Sequence, residues 1–223
     1  TEKAEEKQYR CPGESYTISD SVCRGRQRVN YPKCNVCLEK VEPGGFAQSH
    51  AEPKLSINIF KSYDIRGKYP SELNDTTAHK IGTSIALFFR EKNPDVKNIV
   101  VGRDMRLSSK SLANALIEGL CTAGLNVINV GVVSSEMTYF AVGHYKYDGG
   151  VMVTASHNPA EYNGFKLCRE QAIPVSFETG IDRISKLTKQ YHPLRGEHLG
   201  KVIVSDIFAD YKKHVLKFAS NLR

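Results

Sequence analysis

Short β-branched runs alternate with stretches of helical spacing along most of this chain, and that alternation narrows the possible folds more than any other feature. Three runs, NIVVG (98–102), LNVINVGVV (125–133) and VMV (151–153), have the length and composition of buried strands. Before the first, Ala78, Ile81, Ile85 and Phe88 recur three or four residues apart, which predicts a helix over 74–91 with Asn74 or Thr76 as its cap. Leu112, Leu116 and Leu120 predict a second helix, capped by Ser108 or Ser109 and ended by Gly124. Ser134-Ser135 offers a cap for a third, running from Glu136 to about Tyr145. Strands alternating with helices imply an α/β domain with a mainly parallel or mixed sheet and helices on both faces.

The flanking stretches read less clearly. SINIFKSYDIRG (56–67) reads as a strand through Ile57 and Ile59 that runs into a loop ending at Gly67. NGFKL (163–167) and AIPV (172–175) look like a hairpin-type return, and 177–187 like a short helix with Ile181 and Ile184 on one face. VIVSD leads into a last helix, 206–220, whose apolar stripe of Ile207, Tyr211, Val215 and Phe218 reads as a core face. Cys121 and Cys168 fall in apolar surroundings and read as small core residues.

The chemistry collects on the loop after the VMV run, TASHNPAEYNGFK (154–166). Asn158-Pro159 turns the chain there, so Ser156 and His157 sit just past a strand's carboxyl end, where open α/β sheets gather ligands. A hydroxyl, an imidazole, the Asn158 amide and the Lys166 cation suit a serine that carries a phosphoryl group, with its charge of about −1.5 to −2. A polar turn joining two strands is the plain alternative. Tyr63, Asp64 and Arg66 stand beside Gly67, either as polar tips for a ligand or as a loop with an internal ion pair. In GRDMRLSS (102–109), Arg103 and Arg106 divide evenly between a site and a structural role.

TASHNP followed by YNGFK resembles the phosphoserine loop of the α-D-phosphohexomutase family, the phosphoglucomutases and phosphomannomutases. FKSYDIRG resembles the N-terminal signature of the phosphomannomutase/phosphoglucomutase branch, and GRD with RLSS is similar to a third family stretch. The resemblance covers roughly 57–220, one domain. It implies that phosphorylated Ser156 gives its phosphoryl group to one sugar hydroxyl and takes another back. Hexose 1-phosphate and 6-phosphate would then interconvert through a bisphosphorylated sugar. It further implies that Lys166 acts as general acid/base, that His157 orients the phosphate, and that Asn158 keeps the loop's shape. Tyr63 would line the site, and Arg66, with Arg103 as a further candidate, would neutralise phosphate charge. Ser156 would touch Mg2+ through its phosphate. One departure is Ser134-Ser135-Glu136, where the family usually has a proline-rich turn.

The family enzymes have four domains, with an Asp-rich metal loop (D-G-D-x-D-R), a sugar-selecting loop and a phosphate clamp that this sequence does not contain. The expectation is therefore the N-terminal part of a phosphohexomutase, inactive alone, whose partners are a phosphorylated hexose and the remaining mutase domains in cis or in trans. The start at Thr1 fits processing or a longer chain. No run approaches the ~18 apolar residues of a membrane span and TEKAEEKQYR has no apolar core, so a cytoplasmic enzyme is expected.

Ahead of that domain (56–223) come a Cys-rich segment (1–40) and a linker (41–55) rich in Pro and Gly. Cys11, Cys23, Cys34 and Cys37 have the spacing C-x11-C-x10-C-x2-C, whose last pair suits structural Zn2+; a redox pair, disulfides or four unrelated cysteines are the alternatives. A zinc-stabilised segment that recruits a partner, beside a catalytically incomplete scaffold, is the competing function. The net charge is +7. Residues 1–55 carry 9 Lys/Arg and 8 Asp/Glu, so the excess lies in the later domain, where it would attract phosphorylated sugars. Nucleic-acid binding ranks last, because the cysteines lie in the nearly neutral part and no dense basic run carries interleaved aromatics.

Overall fold

The structure, a computed structural model, describes residues 57–193 and 199–219, with the backbone of two short strands nearer the N-terminus. The chain divides into two compact units, Thr1–Glu52 and Pro53–Arg223. In the first, β1 (Gln8–Tyr9) pairs antiparallel with β2 (Ile18–Ser19). Cys11, Cys23, Cys34 and Cys37, and with them the expected zinc site, lie outside the described residues, as does the 41–55 linker.

The second unit is built on one six-stranded mixed sheet. Its strands are β3 (Ile65–Lys68), β4 (Asn98–Arg103), β5 (Asn126–Val132), β6 (Gly149–Val153), β7 (Tyr162–Arg169) and β8 (Val202–Val204), in the order β3-β7-β6-β4-β5-β8. Strands β6, β4, β5 and β8 run parallel, while β7 returns antiparallel to β6 and β3 pairs antiparallel with β7. All five residues of β6 are buried, as a parallel strand covered on both faces requires. The helices are α1 (Asp75–Lys92), α2 (Ser109–Thr122), α3 (Ser135–Tyr145), α4 (Asp182–Lys189) and α5 (Phe208–Leu216). One core joins α1, α2 and α4 to Ile99, Val101, Val151, Val153, Phe165 and Leu167 of the sheet. The opposite face packs Val100, Ile128, Val130 and Cys168 against Ala141 and Val142 of α3.

The two largest expected helices form as their sequences dictate. The Asn74 side-chain oxygen accepts from the Thr77 amide at 3.0 Å and caps α1. Helices α1 and α2 touch at two glycines. A Cβ at Gly82 would meet the Leu116 carbonyl oxygen at 2.3 Å, and one at Gly119 would meet the His79 carbonyl oxygen at 2.2 Å. The Thr83 hydroxyl, at that same crossing, donates to the Gly119 carbonyl at 3.3 Å. Ser134 caps α3 by accepting from the Met137 amide at 3.3 Å.

Three expectations need correction. Residues 57–59 form a 3₁₀ turn and not a strand. The strand is Ile65–Lys68, because Phe60 bridges Ile65 and the 61–64 turn closes through the Lys61 amide on the Asp64 carbonyl at 2.9 Å. The hairpin-type return does form, though it is short: Cys168 bridges Pro174 antiparallel, between the Arg169 amide on the Ile173 carbonyl at 2.8 Å and the Val175 amide on the Leu167 carbonyl at 3.0 Å. The 177–187 helix starts only at Asp182, because Gly180 leaves helical geometry and Phe177–Ile181 forms a wide turn; Ile181 and Ile184 are buried as expected.

The stripe on the last helix is not a core face. Ile207 is 1% exposed, but Val215 is 43% and Phe218 77% exposed. Tyr211 packs on Phe140 of α3 at 5.4 Å between ring centroids, and Tyr145 donates to the Asp210 carboxylate. Val215 and Phe218 line an open groove of about 670 Å³ between α3 and α5. Cys168 is fully buried, and burial pushes its thiol up to about 12; half-buried Cys121 is pushed up to about 11 by the same cause.

Replacing Gly119 by Ala forces backbone apart where α1 and α2 cross. The expected cost is about 1–3 kcal/mol of stability, read as a lower urea midpoint with unchanged slope.

Candidate active site

Strand β6 ends at Val153, and one further pairing, the Thr154 amide on the Gly164 carbonyl at 2.9 Å, carries the chain to the sheet edge. The chain then makes two tight turns before it returns as β7. The backbone amide and the side-chain amide of Asn158 both donate to the Ala155 carbonyl, at 3.0 and 2.8 Å, and the Tyr162 amide donates to Pro159 at 3.0 Å. Ser156 stands exposed on the first turn with φ of 56°, and its Oγ lies 3.3 Å from His157 Nδ1. A left-handed conformation costs a non-glycine residue roughly 1–2 kcal/mol, so the surroundings must hold it.

Arg106 is the centre of those surroundings. Its Nε donates to Asp104 Oδ2 at 3.2 Å. Nη1 donates to the carbonyls of Pro159 at 2.8 Å and Tyr162 at 3.2 Å. Nη2 donates to the carbonyls of Ser156 at 2.9 Å and Asn158 at 2.6 Å. A guanidinium has five N–H donors, and all five are engaged. The side chain of Arg106 therefore braces the loop and has no donor left for a ligand phosphate, in keeping with the structural one of its two readings.

Asp104 closes the network from below. It accepts from the Arg106 amide at 3.1 Å, from the Thr154 hydroxyl at 2.8 Å and from the Ser109 hydroxyl. The Ser109 hydroxyl thus turns to Asp104, and Ser108 precedes α2 without a side-chain capping bond. Asn163, fully buried, donates to both serine hydroxyls at 2.8 and 2.9 Å and accepts from the Gly164 amide. Thr154, Asp104, Ser109 and Asn163 all stood in the motifs, but no spacing announces bonds between residues 50 or more apart.

The cations sit on the neighbouring strands. Arg66 of β3 lies opposite Gly164 of β7, and Lys166 of β7 lies opposite Met152 of β6. Strand alternation puts Arg66 and Lys166 on the same sheet face, two residues apart along β7. A Cβ at Gly164 would meet the Ile65 carbonyl at 2.2 Å, so the glycine lets β3 approach and keeps the position beside Arg66 open. The Arg66–Asp64 pair is 3.8 Å long and partly exposed, and a pair of that kind holds little energy. Tyr63 is exposed on the 61–64 turn. Arg103 lies opposite Val153, on the other alternation of the sheet, and its Nη1 donates to the Asp104 carbonyl at 3.3 Å. The structure thus joins Ser156, His157 and Asn158 in one loop, with Arg66 and Lys166 on the adjoining strands, and sets Arg103 apart from those two.

Among the described residues, no three His, Cys, Asp or Glu side chains converge on a metal position. Asp104, the carboxylate beneath the loop, is already bonded to Arg106, Thr154 and Ser109. The described residues do not form a Mg2+ site by themselves.

Residues 58–194 match the family model described as phosphoglucomutase/phosphomannomutase, alpha/beta/alpha domain I. A phosphomannomutase of Vibrio cholerae is 41% identical over 73% of this chain, but this chain spans only 35% of its length. A phosphomannomutase of Klebsiella pneumoniae is 41% identical over 70% of this chain and 97% of its own length. Among solved structures, a phosphoglucomutase/phosphomannomutase family protein from Burkholderia thailandensis superposes with a TM-score of 0.64 at 30% identity. That superposition covers 74% of this chain and 36% of the other.

Arg106→Lys leaves an ammonium in place of a five-donor fork and orphans several loop carbonyls. The expected loss is about 1–3 kcal/mol, with faster proteolytic cleavage within 155–161 than at the ends of α1. An unchanged cleavage pattern would show that the loop holds itself.

Proposed function

Because the chain belongs to the phosphoglucomutase/phosphomannomutase family, as its α/β/α domain I, we propose that it supplies the phosphoserine of a phosphohexomutase. The observation that carries this reading is Ser156 itself: exposed, at a strand's carboxyl end, and in a left-handed conformation anchored at both its amide and its carbonyl. A serine hydroxyl held outward at this place suits a phosphoryl carrier.

In the proposed reaction a hydroxyl of a hexose monophosphate attacks phosphorus on phospho-Ser156. The new P–O bond forms to the sugar as the bond to Ser156 Oγ breaks, and the hydroxyl proton passes to a base. Ser156 Oγ takes a proton as it leaves. In the return step Ser156 Oγ gives up its proton and attacks the other phosphorus of the bisphosphate, the P–O bond to the sugar breaks, the sugar oxygen is protonated, and the sugar leaves as the isomer. Lys166 takes the role of general acid/base, since its strand register sets it near the end of β6 and on the face it shares with Arg66. Arg66 offsets phosphate charge through its planar fork. His157 orients the phosphoryl group from its place beside Ser156 Oγ. Asn158 fixes the turn through Ala155. Tyr63 and Arg103 are ancillary, the first exposed and the second directed by register to the other face. Magnesium, when bound to phospho-Ser156, would offset charge on the transferring group; its remaining ligands would come from outside the described residues.

Phosphoryl transfer depends mainly on positioning and charge stabilisation, and each 1.4 kcal/mol lost costs about tenfold in rate. The 223-residue chain alone is therefore expected to turn over glucose 1-phosphate or mannose 1-phosphate no faster than its Ser156→Ala variant. Joined to the remaining two thirds of the Vibrio cholerae relative, it is expected to turn over one of them. Activity of that fusion that survives Ser156→Ala would overturn the reading.

A further inference from the structure

The strained backbone at Ser156 is anchored on both sides of its Cα. On one side, its amide donates to Thr154 Oγ1 at 2.9 Å. On the other, its carbonyl accepts from Arg106 Nη2 at 2.9 Å. The Thr154 hydroxyl has one proton, and it goes to Asp104 Oδ2 at 2.8 Å. That fixes the direction of the relay: the threonine hydroxyl donates to the carboxylate, which leaves a threonine lone pair to accept from the Ser156 amide. Arg106 binds the same Asp104 oxygen through Nε, so both anchors of Ser156 end in one ion pair. Thr154 is only 7% exposed, and the relay is out of reach of most solvent.

Asn and Gly take a left-handed conformation more readily than Ser does. A serine kept there by two backbone anchors that converge on one ion pair points to the hydroxyl, and to its direction, as the object of the arrangement. We propose that Thr154 and Asp104, with Arg106, are positioning residues that lock Ser156 in its left-handed conformation and so aim Oγ at the incoming sugar phosphate. None of the three touches the reacting atoms in this scheme. The inference rests on the phosphoserine reading, and it adds that the direction of Oγ is set by residues of the β4–α2 loop, 50 positions away in sequence, as well as by its own loop.

The test uses Thr154→Val, which keeps the shape and removes the relay, and Thr154→Ser, which restores the hydroxyl. Two readouts separate positioning from mere stability. Amide exchange of Ser156 in the 223-residue chain is expected to rise at least about tenfold in Thr154→Val, with Val151 of β6 unchanged. In the protein with its full set of domains, kcat is expected to fall about 10- to 100-fold with KM for the sugar phosphate unchanged, the size of effect that a slight misplacement produces. Thr154→Ser should recover both. Exposure of the Ser156 amide with no change in kcat overturns the positioning role and leaves the phosphoserine reading standing. A kcat that survives Ser156→Ala sinks the reading, and the positioning role with it. Should Thr154→Val fail to fold, Asp104→Asn breaks the same relay from its other end and is judged by the same two readouts.

Discussion

One guanidinium holds the working end of this domain together. Arg106 spans two loops that follow different strands, ties four carbonyls of one to a carboxylate of the other, and has no donor to spare. Backbone carbonyls in a turn of this kind would otherwise need water, and water would leave the turn free to move. The charge on Arg106 is balanced locally by Asp104, so the loop is rigid without presenting a net charge from its own support. That matters if the loop carries a dianionic phosphoryl group. On the proposed reading, the cations this chain offers that group are Arg66 and Lys166, which share one sheet face.

The sheet explains why those cations are where they are. Strand β7 runs back antiparallel from the loop, and β3 pairs onto its outer side. A single chain reversal therefore sets the serine, and two strands beside it set the cations. Gly164 makes the second pairing possible, since any side chain there would strike the β3 backbone. The parallel strands β6, β4 and β5 beneath are a buried platform, and the close crossing of α1 and α2 at Gly82 and Gly119 packs one side of it.

Much of this was legible in the sequence. The alternation of β-branched runs and helical spacing located β4, β5, β6 and the first three helices, because the strands are dense in β-branched residues and the helices have a cap or a glycine stop. The errors fell where signals are short. Ile57 and Ile59 resemble a strand, yet the Phe60–Ile65 bridge moves the strand downstream. The Ile207–Phe218 stripe has the periodicity of a core helix, but periodicity states only which side is apolar and not whether anything covers it. At the site, the sequence named Ser156, His157, Asn158, Arg66 and Lys166 by type and place. It could not reveal the bonds from Asp104 and Arg106 to Thr154 and the Ser156 loop, because hydrogen bonds between residues 50 or more positions apart depend on the fold being known.

The central claim is that Ser156 is a phosphoryl carrier. Its most direct test is to treat the protein, with its full set of domains, with a hexose 1,6-bisphosphate and to map the acquired phosphoryl group by peptide mass spectrometry. The account predicts one phosphoryl group on the peptide that spans residues 154–166, assigned to Ser156. A phosphoryl group on another residue, or none while hexose phosphates still interconvert, would contradict it.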